Sequence, residues 1–312
     1  MSHTRLQSTC ARIVLPTLLL SLAILLLEGC FAQANPPKFD SGNAFSLLQK
    51  QCDFGPRPIG TVAHDKTRDY LFGELSKVAN AAELQNFDYK YKRTTYKLSN
   101  VIAHFGPSNG PGILLSAHWD TRPTADQELE KADQKRPILG ANDGASGVAI
   151  LLDMARMFHE RMPAVPVTIV LFDGEDFGPT GKDMFIGSRY FAAHMDKSAY
   201  KYGILLDMVG DKKLGVFREG NSELRAKFVS DKIWSAAREL GYGSTFKDET
   251  KYTIGDDHIP LNEAGLPCAD VIDFDYAYWH TLGDTVDKCS PESLRIVGET
   301  IAKVVYSEQS AK

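Results

Sequence analysis

Ile113-Leu114-Leu115-Ser116-Ala117 runs without a break into His118, Trp119 and Asp120. Five mostly apolar residues after the turn-rich stretch FGPSNGPG read as a short strand buried on both faces. An imidazole and a carboxylate close it, and a buried strand has no structural need of either. The pattern recurs. Residues 165–172, VPVTIVLF, read as a second apolar strand, with Glu175 and Asp176 beyond it. Residues 203–208, GILLDM, carry Asp207 at their end, and the strand at 269–274 leads to Trp279 and His280. Helical periodicity covers 44–51, 61–78, 148–158, 222–240 and 291–306, the fourth as one long amphipathic helix ending at Gly241. Residues 83–91 and 97–105 read as two further strands. This alternation predicts an α/β single domain, its central β-sheet covered by helices on both faces.

The chain has 312 residues, 43% apolar and 24% charged, which excludes a disordered or multi-span membrane protein. Lys and Arg total 35 against 40 Asp and Glu, a net charge of −5. A mild acidic excess offers no footprint for nucleic acid. Residues 1–34 stand apart. Arg5 and Arg12 precede the apolar run 13–27, too short for a spanning helix, and FAQA follows. This predicts a secretory signal cleaved after Ala34, with lipidation at Cys30 as the alternative, and a catalytic part over 35–312. Either way the protein is exported: periplasmic, secreted or lipid-anchored, touching membrane only through that N-terminal anchor. Beyond the signal, Cys52 and Cys289 lie just outside periodic segments and are expected to pair. Cys268 sits in an apolar stretch as a buried thiol.

In open α/β sheets, ligands bind outside the carboxyl ends of the strands. His118, Asp120, Glu175, Asp176, Asp207 and His280 follow strand ends, and Asp143 follows the Gly-rich loop LGAND. Each has an ordinary alternative: a core histidine, a helix N-cap, a solvated turn. Their joint placement is what points to one crevice. Packed carboxylates repel unless a proton or cation intervenes, and two imidazoles with several carboxylates suit zinc. Glu175 and Asp176, being adjacent, can divide the work, one ligating and the other handling protons. Gly144-Ala145-Ser146-Gly147 is not the G-x-S-x-G elbow of a serine hydrolase. A non-catalytic binding domain on such a fold would normally have lost ligands, and none is missing here.

The stretches SAHWDTRP, GANDGASGVAILLDMAR, VLFDGEDFG, GSRYFAAHM, GILLDMVGD, DDHIPLNEAGLP and YWHTLGDTVD resemble the M28 zinc metallopeptidase family, especially its glutaminyl-peptide cyclotransferase branch. The resemblance runs from about Phe54 to the C-terminus. It implies a zinc-exopeptidase/phosphorylase-like fold with a central mixed sheet. It implies zinc held by Asp143, Asp176 and His280, with Glu175 as acid/base and Asp207 and Asp256 in an acidic network beside it. Trp279 would lie against the substrate, and His118, oriented by Asp120, would be a structural group or a second-metal ligand. The branch implies peptide or protein N-termini as substrates, with N-terminal Gln cyclised to pyroglutamate and ammonia released. The alternative is a two-zinc aminopeptidase, in which His118 and Asp207 bind the second metal and Asp143 bridges. Asp256, where aminopeptidases usually have Ser, and Trp279-His280-Thr281 favour the cyclase. Two features depart from the pattern. Asp176 replaces a second glutamate, and the loop 177–186 lacks the tryptophan that walls the pocket of animal cyclases. Phe177 or Phe185 could take its place.

Overall fold

A computed structural model describes Met1 and residues 36–309. Its strands are β1 (Ala81–Tyr91), β2 (Thr94–Phe105), β3 (Gly112–His118), β4 (Val167–Phe172), β5 (Tyr200–Asp207), β6 (Val216–Glu219), β7 (Phe246–Tyr252) and β8 (Cys268–Ile272). Its helices are α1 (Ser41–Asp53), α2 (Val62–Val78), α3 (Ala145–Glu160), α4 (Ile186–His194), α5 (Gly220–Arg225), α6 (Lys227–Glu239), α7 (His258–Glu263) and α8 (Pro291–Ser307).

One sheet has the order β1-β2-β4-β3-β5-β8. The pairs β1/β2 and β2/β4 are antiparallel, while β4, β3, β5 and β8 run parallel. The continuous apolar runs are therefore period-two patterns serving two cores at once. Ile113, Leu115, Ile169 and Leu171 pack on one face with Leu48, Leu71, Leu75, Met154 and Leu294 from α1, α2, α3 and α8. Leu114, Val170, Phe172 and Leu205 pack on the other with Phe191 of α4 and Leu261 of α7. The mixed sheet with helices on both faces is as the sequence predicts. Burying each such side chain contributes about 1.5–3 kcal/mol.

Three local features differ from expectation. The helix expected over 222–240 is two helices. Ala226 leaves helical dihedrals (φ −138°, ψ 29°) between α5 and α6. No Gly or Pro marks this break. Glu219 caps α5 through the N–H groups of Asn221 and Ser222, while α6 buries Val229, Ile233 and Trp234. Second, β6 and β7 form a separate parallel pair. The sequence FKDETKY of β7 is exposed along most of its length and has no apolar alternation to read. Third, Cys52, Cys268 and Cys289 are all buried free thiols, which corrects the expected Cys52–Cys289 bridge. Cys52 and Cys289 belong to the same apolar core and are held by packing. Burial pushes both thiols up, Cys52 to about 11, so neither is a ready thiolate.

The signal expected over residues 1–34 lies outside the described residues apart from Met1. Among the described residues, no helix is long and apolar enough to cross a membrane.

Candidate active site

The parallel strands end side by side, and their ends deliver the chemistry. His118 is the last residue of β3, Asp207 the last of β5, and Glu175 and Asp176 lie three and four residues past β4. The loop after β8 brings Trp279 and His280. Asp143 arrives just ahead of α3. That helix approaches β5 closely because residue 147 is glycine: a Cβ there would sit 2.2 Å from the Leu206 carbonyl oxygen. Gly144 turns the chain with φ +102°. The hydroxyl of Ser146 donates to Asn142 O at 2.6 Å and accepts from Val209 N at 3.1 Å. It is engaged in holding backbone. Asp143 does not cap α3; Gly144 occupies that position, with no side-chain cap.

Asp143, Asp176 and His280 each offer a ligand atom, all within 4.8 Å of one another. His280 Nε2 lies 3.7 Å from Asp143 Oδ2 and 3.6 Å from Asp176 Oδ2. Those separations are too long for hydrogen bonds. A tetrahedral zinc with bonds of about 2.0–2.2 Å holds its ligand atoms roughly 3.3–3.6 Å apart. Asp176 Oδ2 is buried and has no hydrogen-bond partner. A buried carboxylate oxygen left in that state is costly unless a cation meets it. These residues fit a divalent metal with an open position.

A second set, His118, Asp143 and Asp207, has different spacing. His118 Nε2 is 3.1 Å from Asp143 Oδ1 and 3.2 Å from Asp207 Oδ1. These are hydrogen-bond distances, shorter than those in the first set. Asp143 belongs to both sets. Asp120 stands behind them, its Oδ1 3.6 Å from His118 Nδ1. The same carboxylate accepts the backbone N–H groups of Glu175 and Asp176 at 3.0 and 3.2 Å.

Asp143, Glu175, Asp207 and Asp256 line one small cavity of about 50 Å³, together with Met184, Met208, Ile254, Phe274, Trp279 and His280. The indole of Trp279 stacks on His280, ring centres 4.0 Å apart, and Phe274 is tilted against the indole at 5.2 Å. From the loop after Asp176, the wall is Met184. Phe177 instead packs among Tyr89, Tyr91 and Tyr96, and Phe185 does not line the cavity, so neither replaces the absent tryptophan. Phe185, Met208 and His280 have positive φ of 57°, 48° and 54°. Strained backbone of this kind gathers at functional sites.

Burial pushes Glu175 well above the usual carboxylate range, and the charges of Asp176 and Asp256 add to the push. Burial and the charge of Asp207 do the same to Asp256. Asp143 runs the other way: burial raises it, but the hydrogen bond and charge of His118 more than offset that. His118 is buried, yet its hydrogen bonds and charges with the surrounding carboxylates hold it well above the usual imidazole range. A cation bound among these carboxylates would favour their charged forms.

The family model for peptidase family M28 matches residues 100–305. The chain belongs to peptidase family M28. Among solved M28-like structures, the glutaminyl cyclase of Bacteroides thetaiotaomicron bound to N-acetylhistamine superposes with a TM-score of 0.84 at 38% identity. The match covers 88% of this chain and 100% of that one. A zinc-dependent exopeptidase from Parabacteroides distasonis gives 0.85 at 34%, with coverage of 88% and 100%. The glutaminyl-peptide cyclotransferase of Drosophila melanogaster is 26% identical over 276 residues, 78% of this chain and 75% of that one. The aligned stretches span between 38% and 75% of the first curated relatives. Its relatives include glutaminyl cyclases and M28 exopeptidases, and this M28 chain is an enzyme of one of these types.

Sequence reasoning missed several residues around this M28 site. Asp284 accepts from Asn142 N at 2.8 Å, Asp143 N at 3.1 Å and the Tyr276 hydroxyl at 2.8 Å, fixing the backbone at Asp143. Arg57 is fully buried and donates to Trp119 O, Leu139 O and Gly140 O, joining the end of β3 to the Gly-rich loop. Asp284 lies in YWHTLGDTVD and Arg57 near the start of the region of resemblance, yet neither had an assigned role. Behind Asp256 lies a third group that could hold a metal: Asp256, His258 and Asp270, with Glu219 3.1 Å from His258 Nε2.

Proposed function

We propose that the protein is a zinc-dependent glutaminyl-peptide cyclotransferase, converting N-terminal Gln of peptides or proteins to pyroglutamate with release of ammonia. The observation that carries this reading is the contrast between the two ligand sets. Asp143, Asp176 and His280 leave an orphaned carboxylate oxygen and contacts of 3.6–3.7 Å, whereas His118 Nε2 lies at hydrogen-bond distance from Asp143 and Asp207. Cyclisation needs only one metal, and the spacing and orphaned oxygen of the first set support placing it there. The likeness to a glutaminyl cyclase at 38% identity over that protein's whole length supports it.

Asp143, Asp176 and His280 would hold the zinc, which when bound polarises the substrate's γ-carbonyl as a Lewis acid. The neutral α-amine attacks the γ-carbon, and Glu175 takes the proton that its nitrogen sheds as the bond forms. The N–C bond closes the five-membered ring and the C–N bond to the amide nitrogen breaks. Glu175 returns its proton to that nitrogen, which leaves as ammonia. Asp207 and Asp256 line the cavity beside Glu175, and burial keeps its carboxyl basic enough for both transfers. Trp279 and Phe274 offer flat apolar faces to a compact ring and exclude water, which would otherwise compete with the amine. Amine and carbonyl share one residue, so holding the bent conformer supplies much of the rate. We also read residues 1–34 as an export signal, which places this activity outside the cytoplasm.

Mass spectrometry of peptide products tests the reading. A Gln-initiated peptide should lose one ammonia, and a Leu-initiated peptide should stay intact. The second reading is an aminopeptidase with a second metal at His118 and Asp207. It rests on Asp143 being shared between the two sets. Release of free leucine faster than Gln cyclisation would establish it instead.

A further inference from the structure

We propose that Asp126, clamped by Arg122, is a positioning residue that aims His280 and fixes the free oxygen of Asp176 at the metal site. The proposal rests on the reading that Asp143, Asp176 and His280 hold the metal. Asp126 Oδ1 accepts from His280 Nδ1 at 3.0 Å. Its other oxygen accepts from Arg122 Nε at 3.0 Å and Nη2 at 2.7 Å. Arg122 Nη1 then donates to Asp176 Oδ1. Two of the three metal ligands are thus tied together through one Asp–Arg pair, and the metal position closes the ring.

Each link has a consequence for coordination. With Nδ1 donating to Asp126, His280 turns Nε2 toward Asp143 and Asp176. A carboxylate behind a ligating imidazole orients it and strengthens it as a donor. With Arg122 occupying Oδ1, Asp176 has only Oδ2 left, and that is the buried oxygen without a partner. The clamp therefore makes Asp176 a one-oxygen ligand. Arg122 is buried, while the Asp126 side chain keeps 38% exposure. Water competes at that end, which puts the expected effect toward the lower part of the range for such residues.

The loop carrying Asp126 is anchored without its side chain. Gln127 N donates to His280 O at 3.2 Å, and Leu282 N donates to Glu128 Oε1 at 2.8 Å. This separates the role of the side chain from that of the loop. Asp126→Ala removes both links. Asp126→Asn is isosteric, but its amide cannot accept from His280 and Arg122 together, because its NH2 faces a donor. Glu128→Ala loosens the loop and leaves the Asp126 links in place.

Zinc affinity of the full chain is measured by chelator competition, with melting of the metal-free forms as the stability control. Both Asp126 variants should bind zinc roughly 10–100-fold more weakly than wild type. The visible spectrum of cobalt-substituted protein should change in both, and Glu128→Ala should match wild type. Wild-type affinity in Asp126→Asn would overturn the proposal, and so would an equal loss in Glu128→Ala. If Asp126→Ala melts early without metal, the isosteric variant decides. Wild type that takes up no zinc would instead overturn the metal reading beneath it.

Discussion

The carboxylate of Asp120 receives the backbone N–H of Glu175 at 3.0 Å, and its second oxygen takes that of Asp176. One buried acid from the end of β3 thus fixes the turn after β4, where the candidate base and a candidate ligand sit. Asp120→Asn should lose one of these acceptors and cost about 1–3 kcal/mol of stability. Thermal melting measures that cost, and turnover should fall more than the melting shift explains, because the turn carries Glu175. Unchanged turnover would mean that the turn holds its shape unaided.

Glu175 and Asp176 differ in what surrounds them. Glu175 faces the cavity, whereas Asp176 has one oxygen on Arg122 and the other free. Glu175→Gln should keep its zinc and its fold but lose turnover by roughly two to four orders of magnitude. Asp176→Asn should lose zinc. Elemental analysis beside kinetics checks both, and the reverse pattern would exchange the two roles.

The three cysteines beyond residue 34 should be inert in the folded protein. All are buried, and burial raises each thiol. Alkylation without reductant, followed by peptide mapping, should label Cys52, Cys268 and Cys289 only after denaturation. A disulfide-linked peptide pair containing Cys52 and Cys289 would contradict the free thiols.

The strand-end residues were legible because parallel strands bring their carboxyl ends to one edge, whatever the intervening sequence. His118, Glu175, Asp207 and His280 follow from that rule alone. Asp284 and Asp126 do not. Each acts through hydrogen bonds to residues more than 140 positions away, and no spacing rule reports such a contact. Met184 was hidden for a related reason: which residue of the loop 177–186 faces inward depends on Phe177 being drawn into the tyrosine cluster. The division between α5 and α6 has no Gly or Pro signal because tertiary packing sets it.

Glu219 gives a pH dependence outside the Asp143–Asp176–His280 set. Burial pushes it up, but the hydrogen bond with His258 and the N–H groups of Asn221 and Ser222 more than offset this. Its carboxyl falls from 4.5 to about 2. A lowered carboxyl stabilises the fold above its unfolded value, and that contribution disappears as pH falls from about 4.5 toward about 2. The contribution is on the order of 2 kcal/mol once solvent screening is allowed for. Glu219→Gln should therefore melt below wild type at pH 6, and the gap should narrow as the pH approaches 3. A gap of constant width would show that Glu219 acts by packing alone.

The surroundings of His118 set the expected metal count. Its Nε2 already lies between Asp143 Oδ1 and Asp207 Oδ1 at 3.1 and 3.2 Å, and its Nδ1 lies 3.6 Å from Asp120 and 3.7 Å from Glu175. Its hydrogen bonds and charges with these carboxylates hold His118 above the usual imidazole range, and a second zinc would have to take the place of a proton on Nε2 and draw Asp207 into coordination. Protein purified with excess zinc and then desalted should carry one metal per chain. His118→Ala should keep that metal, since His118 is outside the first set, but should lose about 3–5 kcal/mol of stability by leaving buried carboxylates unpaired. Two zinc ions in wild type and one in His118→Ala would identify His118 and Asp207 as a second metal site. That outcome removes the contrast on which the cyclase reading rests, and hydrolysis of a Leu-initiated peptide becomes the activity to expect.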